Sequence, residues 1–165
     1  LFYIDFIQID MKKILSMVAV MLLGATSLMA QAPEKGWSFA GELGVGSELE
    51  LGARAQYNFN KYIALDAPVL KYAYDYGDFS VNEITIQAGV RGFSPTFGPD
   101  MKAFAALDMG YGNMFKDGNW SAFALDFTVG LYLYKGLYAG YGFGGLFHDG
   151  SHKDHLFRVG YNFTF

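Results

Sequence analysis

From Trp37 onward the chain alternates apolar and polar positions with a period of two. The clearest stretch is 48–59, where Leu49, Leu51, Ala53, Ala55, Tyr57 and Phe59 fall on one phase. Glu48, Glu50, Gly52, Arg54, Gln56 and Asn58 fall on the other. A strand sends successive side chains to opposite faces, so this is a ribbon with one greasy side and one polar side. Trp37, Phe39, Leu43 and Val45 oppose Ser38, Ala40, Glu42 and Gly44 in the same way, and Ile84, Ile86, Ala88 and Val90 oppose Thr85, Gln87, Gly89 and Arg91. The pattern predicts eight strands: 37–45, 48–59, 62 to about 74, 83–93, 102–112, 121–134, 137–147 and 155–165. The third is expected to break or bend at Pro68, where a central strand would lose a hydrogen bond. Asn60-Lys61, Lys135-Gly136 and Ser94 to Asp100 carry turn chemistry. No long stretch with helical period follows residue 36.

Segments near ten residues match the 9–11 that a tilted strand needs to cross a bilayer. An even strand count puts both termini on one side. Connections after strands three, five and seven are longer and more polar than those after two and six, which suits long outer loops and short inner turns. Gly46-Ser47 and Ser94 to Asp100 depart from that rule.

Charge decides which face looks outward. An Arg on the lipid face at mid-membrane costs roughly 2–4 kcal/mol, so Arg54, Arg91 and Arg158 together would consume most of a domain's stability of about 5–15 kcal/mol. They are expected to point inward and pair with Glu42, Glu50, Asp108 and Asp126 on the same polar ribbon, a network tolerable only if satisfied. Six of the seven lysines after residue 30 (Lys35, Lys61, Lys102, Lys116, Lys135, Lys153) sit at strand ends or in loops. Gly, Ala, Ser and Thr dominate the rest of the polar ribbon and suit a narrow interior. Two aromatic belts are expected at the lipid interfaces: Tyr57, Phe59, Tyr132, Tyr134, Phe163 and Phe165 at one, Tyr74, Tyr76, Tyr111, Phe115, Trp120 and Phe147 at the other.

The final strand carries Phe157, Val159, Tyr161, Phe163 and Phe165 against Arg158, Gly160, Asn162 and Thr164. Its Arg158, Gly160, Tyr161, Phe163 and terminal Phe165 resemble the C-terminal signal that barrel-assembly machinery reads. At the other end, Met11-Lys12-Lys13, the apolar run Ile14 to Leu23 and the small residues of 24–32 read as a cleaved secretory signal, a helix too short to span a membrane. Cleavage is expected after Ala30, with Ala32 the alternative. Residues 1–10 read as an upstream extension, 11–30 as the signal peptide, 31–36 as a short tail and 37–165 as one all-β domain. With these ends and strands, the chain resembles small outer-membrane β-barrel proteins of the OmpA/OmpX-like, porin-family type. That resemblance implies an eight-stranded antiparallel up-and-down transmembrane barrel, a monomer in contact with membrane lipid and lipopolysaccharide in a Gram-negative cell envelope. No peptidoglycan-binding segment is recognised after the barrel.

Composition narrows the chemistry. The chain has 21 Gly, 18% aromatic residues and no Cys, which excludes disulfides, thiolate metal sites and a lipidated cysteine. Setting aside Lys12, Lys13, Asp5 and Asp10 leaves ten Lys and Arg against fourteen Asp and Glu, and no basic face for nucleic acid. No cofactor is expected. An eight-stranded barrel is just wide enough to be filled by side chains, so a structural or interaction protein with a plugged polar lumen is the leading reading. A lipid-modifying outer-membrane enzyme is the second reading, a soluble exported lipid binder the third and a narrow channel the fourth. The enzyme reading rests on the loop His148 to His155, which gathers His148, Ser151, His152 and His155, the ingredients of hydrolase or weak metal chemistry. A solvated loop collects such residues anyway, and a nucleophile needs a base held against it. Gly140 to Gly145 is read as small-residue packing on the lumen side rather than a phosphate loop, which would need a following helix.

Overall fold

The computed structural model describes residues 35–76, 81–115, 119–147 and 152–164. The expected extension, signal peptide and most of the tail, with His148, Ser151 and Phe165, lie outside them. Eight strands run in order: β1 (Gly36–Gly46), β2 (Leu49–Asn58), β3 (Ile63–Tyr74), β4 (Val81–Phe93), β5 (Lys102–Met114), β6 (Trp120–Tyr134), β7 (Leu137–Phe147) and β8 (His152–Thr164). Each pairs antiparallel with its neighbour, and β1 pairs with β8 from Ser38↔Thr164 to Gly46↔Leu156, closing the barrel. The ends of β1 and β8 at Gly36 and Thr164 define the near end, with the β2–β3, β4–β5 and β6–β7 connections. The other four connections lie at the far end.

Local chemistry fixes the near-end turns. Lys135 and Gly136, with φ of 41° and 93°, form a two-residue hairpin whose positive φ angles match strand twist. A Cβ on Gly136 would lie 2.4 Å from the Asn162 carbonyl oxygen. The β2–β3 turn spans Phe59 to Tyr62, wider than the expected Asn60-Lys61, because Asn60 Oδ1 accepts from the amides of Tyr62 and Ile63 at 2.8 and 3.1 Å. In the β4–β5 connection, the longest in the described barrel, Ser94 pairs with Ala103 and Phe97 with Met101. That connection is at the near end, so the expected contrast between long and short loops does not hold there. β8 begins at His152, three residues earlier than the pattern suggested, so His152 and His155 belong to a strand.

Pro68 does more than bend β3. Register with β4 skips from Asp66↔Gly89 to Val69↔Gln87, so the ladder passes over Ala67 and Pro68 and demands no amide from the proline. The extra residue reverses the phase. Ala64 and Asp66 face inward before it, and Val69, Lys71 and Ala73 face inward after it.

Candidate functional site

Outside, the barrel shows apolar side chains at mid-height: Ile86 is 55% exposed, Val90 56% and Phe157 55%. Inside, alternate positions on the same strands carry charge, and Arg91, beside the exposed Val90, is 1% exposed. Glu42, Glu50, Arg54, Arg91, Asp108, Asp126 and Arg158 all face the lumen.

Arg158 is the hub. Its Nε and Nη2 donate to the two oxygens of Glu50 at 2.9 and 3.2 Å. Nη1 and Nη2 donate to the two oxygens of Asp126, both at 2.7 Å, and Nη1 also reaches Thr128 Oγ1 at 2.6 Å. This fork-on-fork geometry is available to a planar guanidinium and not to a lysine. Gly142 makes room for it, since a Cβ there would lie 2.1 Å from Arg158 Nη1. Lys71 completes the layer, with Nζ 2.8 Å from Asp126 Oδ2.

A second layer joins Arg54, Glu42, Tyr138 and Asp66. Arg54 donates to the Tyr138 hydroxyl at 2.7 Å and to Glu42 at 3.3 Å, while that hydroxyl donates to Glu42 at 2.7 Å. Arg91 Nε donates to Asp66 Oδ2 at 2.9 Å, and Arg54 Nε lies 3.8 Å from the same oxygen. Asp108 faces inward opposite Asp126 in the ladder, yet its Oδ1 has no hydrogen-bond partner among the described residues, so the expected Arg–Asp108 pairing is not formed at that oxygen.

Apolar clusters flank the charges. At the near end Ala40, Phe104, Tyr132 and Tyr138 pack together with Phe93 against them. Their rings meet at centroid distances of 5.1–5.8 Å, mostly edge to face. Arg91 stacks over Phe104 at 4.5 Å and Arg54 over Tyr138 at 5.2 Å, so cations roof the aromatic cluster. At the far end Met114, Ala122, Ala124 and Leu146 cluster with Trp120 leaning on them. Toward the far end lies a cavity of about 20 Å³ that Glu48, Lys71, Asp154 and Arg158 help to line.

Two belt assignments are thereby corrected. Tyr132, 5% exposed, shares the inward phase of Asp126 and Thr128 and belongs to the near-end cluster, and Trp120 is on the same phase. Lys71, Asp66 and Tyr138 were missed as lumen residues. Lys71 was detectable as the one lysine in mid-strand, but its direction depends on the phase reversal at Pro68.

Of the histidine cluster, only the His155 side chain falls among the described residues. His155 points outward, its Nδ1 2.7 Å from the Tyr141 hydroxyl and its ring 4.9 Å from that of Phe143. His148 and Ser151 lie outside the described residues, as does the His152 side chain. Glycines 140, 142 and 144 face the lumen, with Tyr141 and Phe143 outward, as packing requires.

No protein-family model and no curated protein matches this chain. Solved structures do. The N-terminal β-barrel domain of Pseudomonas aeruginosa OprF is similar at a TM-score of 0.56 and 16% identity, over 81% of this chain and 100% of that one. Neisserial surface protein A (NspA) is similar at 0.59 and 13% identity, over 78% of this chain and 94% of its own. At such identities the likeness is one of architecture: this chain has the fold of the eight-stranded outer-membrane barrels.

Proposed function

We propose that this chain is an integral barrel of a Gram-negative outer membrane, of structural or surface-interaction type, with a filled lumen in place of an open pore. The observation that carries this reading is its sidedness: the mid-height exterior is Ile, Val, Leu, Met and Phe, while the interior holds the ion pairs. Water on the outside would leave a contiguous apolar surface beyond the few hundred Å² that soluble monomers tolerate. Lipid removes that penalty. On this reading the near end faces the periplasm, the far end faces out among lipopolysaccharide, and the assembly machinery reads the strand holding Arg158, Gly160, Tyr161 and Phe163.

The test is a gel of outer-membrane fractions with and without boiling, beside an alkaline wash. An integral barrel stays with the membrane and migrates differently once boiled. Release by the wash would instead favour a soluble lipid binder, a reading that an ionic interior already disfavours. Apolar clusters toward both ends of the lumen disfavour a channel, and steady conductance in planar bilayers would overturn the filled lumen. The barrel is proposed to act without catalysis. A lipid A mass profile that changes on overexpression and reverts with Ser151→Ala would refute that.

A further inference from the structure

Charge is almost absent from the outer wall of the barrel. Of the Asp, Glu, Lys, Arg and His residues whose side chains are described within the eight strands, two are exposed, Lys153 and His155. They are neighbours. Both stand on the outward phase of β8, two residues apart and so about 6.6 Å along the strand. Asp154 between them faces the lumen, where it accepts from the Ser47 hydroxyl at 2.9 Å.

Their height on the wall makes this placement tolerable. A cation on the lipid face is costly at mid-membrane and nearly free at the interfaces. Near the other end of β8, Phe163 packs edge to face on Tyr161 with centroids 4.9 Å apart. A strand that rises about 3.3 Å per residue and tilts by about 40° climbs about 2.5 Å per residue. An apolar band about 25 Å tall that starts at Phe163 therefore ends about ten residues back along β8, at Lys153. His155 lies about 5 Å inside that edge, next to the headgroups.

The surroundings orient the two donors. The His155 ring packs against Phe143, its partner on β7, at 4.9 Å, and its Nδ1 lies 2.7 Å from the Tyr141 hydroxyl. When that hydroxyl donates to Nδ1, the ring proton stands on Nε2, and in the imidazolium both nitrogens donate, so Nε2–H is a donor in either form. Neither it nor Lys153 Nζ has a partner among the described residues. Opposite Lys153 stands Gly145, on the outward phase of β7, so no side chain fills the wall between Phe143 and Phe147. Below the pair, Phe157 is flanked by Tyr141 on β7 and Val45 on β1, all 47–55% exposed. Two donors above an apolar pad complement an anionic headgroup with acyl chains beneath it. A phosphate has three acceptor oxygens and up to two negative charges, so it can take both donors at once.

We propose that Lys153 and His155 form a site on the outer wall for the phosphate of an anionic lipid in the far leaflet, with the Tyr141 hydroxyl positioning the imidazole and Val45 and Phe157 under the acyl chains. The site rests on the membrane reading above and specifies which lipid chemistry the wall selects.

The test uses the full chain refolded in octyl glucoside micelles, which carry no phosphate, titrated with short-chain phosphatidic acid and followed by backbone amide NMR signals. Saturable shifts are expected at Tyr141, Lys153 and His155. Binding should be at least about fivefold tighter than for short-chain phosphatidylcholine, whose choline offsets its phosphate, and than for inorganic phosphate, which has no chains to lay on the pad. Lys153→Gln with His155→Gln should weaken it about tenfold. Both side chains are exposed, so this variant is expected to fold, as its unboiled gel mobility will show. Tyr141→Phe should weaken phosphatidic acid by about twofold or more and leave phosphatidylcholine unchanged. Lys61→Gln, the same loss of a lysine charge at the near end, should change nothing. Equal affinity for the two lipids, or an unchanged affinity in the double variant, would overturn the site. An equal loss in Lys61→Gln would also overturn it, by assigning the preference to net charge. Release of the barrel from membranes by alkaline wash would instead overturn the membrane reading, which the micelle titration does not measure.

Discussion

Replacing Arg158 with Met keeps a long side chain and removes the guanidinium from the centre of the lumen. Five hydrogen bonds of 2.6–3.2 Å go with it, two donated to Glu50, two to Asp126 and one to Thr128. Asp126 keeps Lys71 at 2.8 Å, while both Glu50 oxygens lose the donor they share. The side chains involved are 3–8% exposed, so water offers little relief. Removing one partner of a buried ion pair costs about 3–5 kcal/mol, a large share of the 5–15 kcal/mol that holds a typical domain together. Adding Glu50→Gln takes away the stranded carboxylate, so Arg158→Met with Glu50→Gln should be more stable than the sum of the single changes predicts, by about 1–3 kcal/mol. Urea unfolding of the refolded barrel, followed by tryptophan fluorescence and by gel mobility without boiling, measures both quantities. A loss below about 1 kcal/mol for Arg158→Met, the range of exposed pairs, would refute a desolvated network. So would strict additivity in the double variant.

Three further tests, one with its own control substitution, address separate steps. Gly142→Ala places a methyl against the Arg158 guanidinium and should destabilise by about 1–3 kcal/mol, whereas Gly41→Ala, with nothing within 4 Å of its Cβ, should stay within about 0.5 kcal/mol in the same urea assay. Ile86→Arg puts a cation on the exterior near the middle of β4 and should cost about 2–4 kcal/mol in lipid vesicles; a neutral result would argue that this face meets water. Tyr138→Phe removes a hydroxyl that bonds Arg54 and Glu42 at 2.7 Å each, and a loss of about 1.5–3 kcal/mol in urea unfolding is expected.

The strands were legible because their signal is local. Alternation at 48–59 needs only neighbouring residues, and β2 forms at Leu49–Asn58 with Arg54, Gln56 and Asn58 inward as the pattern required. The inward turn of Arg54, Arg91 and Arg158 was equally legible, since each sits on the polar phase of its own strand. Phase failed where it is not conserved along a strand. The extra residue at Ala67 and Pro68 exchanges the faces of β3, and with them the direction of Lys71. Tyr132 leaves the expected belt because it shares the inward phase of Asp126 and Thr128, which sends its ring into the near-end cluster despite its position near a strand end.

By itself, the sequence determined an eight-stranded all-β chain with charge on one phase and oil on the other, since a period of two is written residue by residue. Which charges meet was decided only by the tertiary structure. Arg158 reaches Glu50 and Asp126, 108 and 32 positions away, because β8 closes on β1 in one register. Glu48, Glu83 and Asp154 converge for the same reason. The level at which a side chain enters the lumen is the accumulated offset of all the strand pairings around the ring, bulges included, and closure fixes that sum.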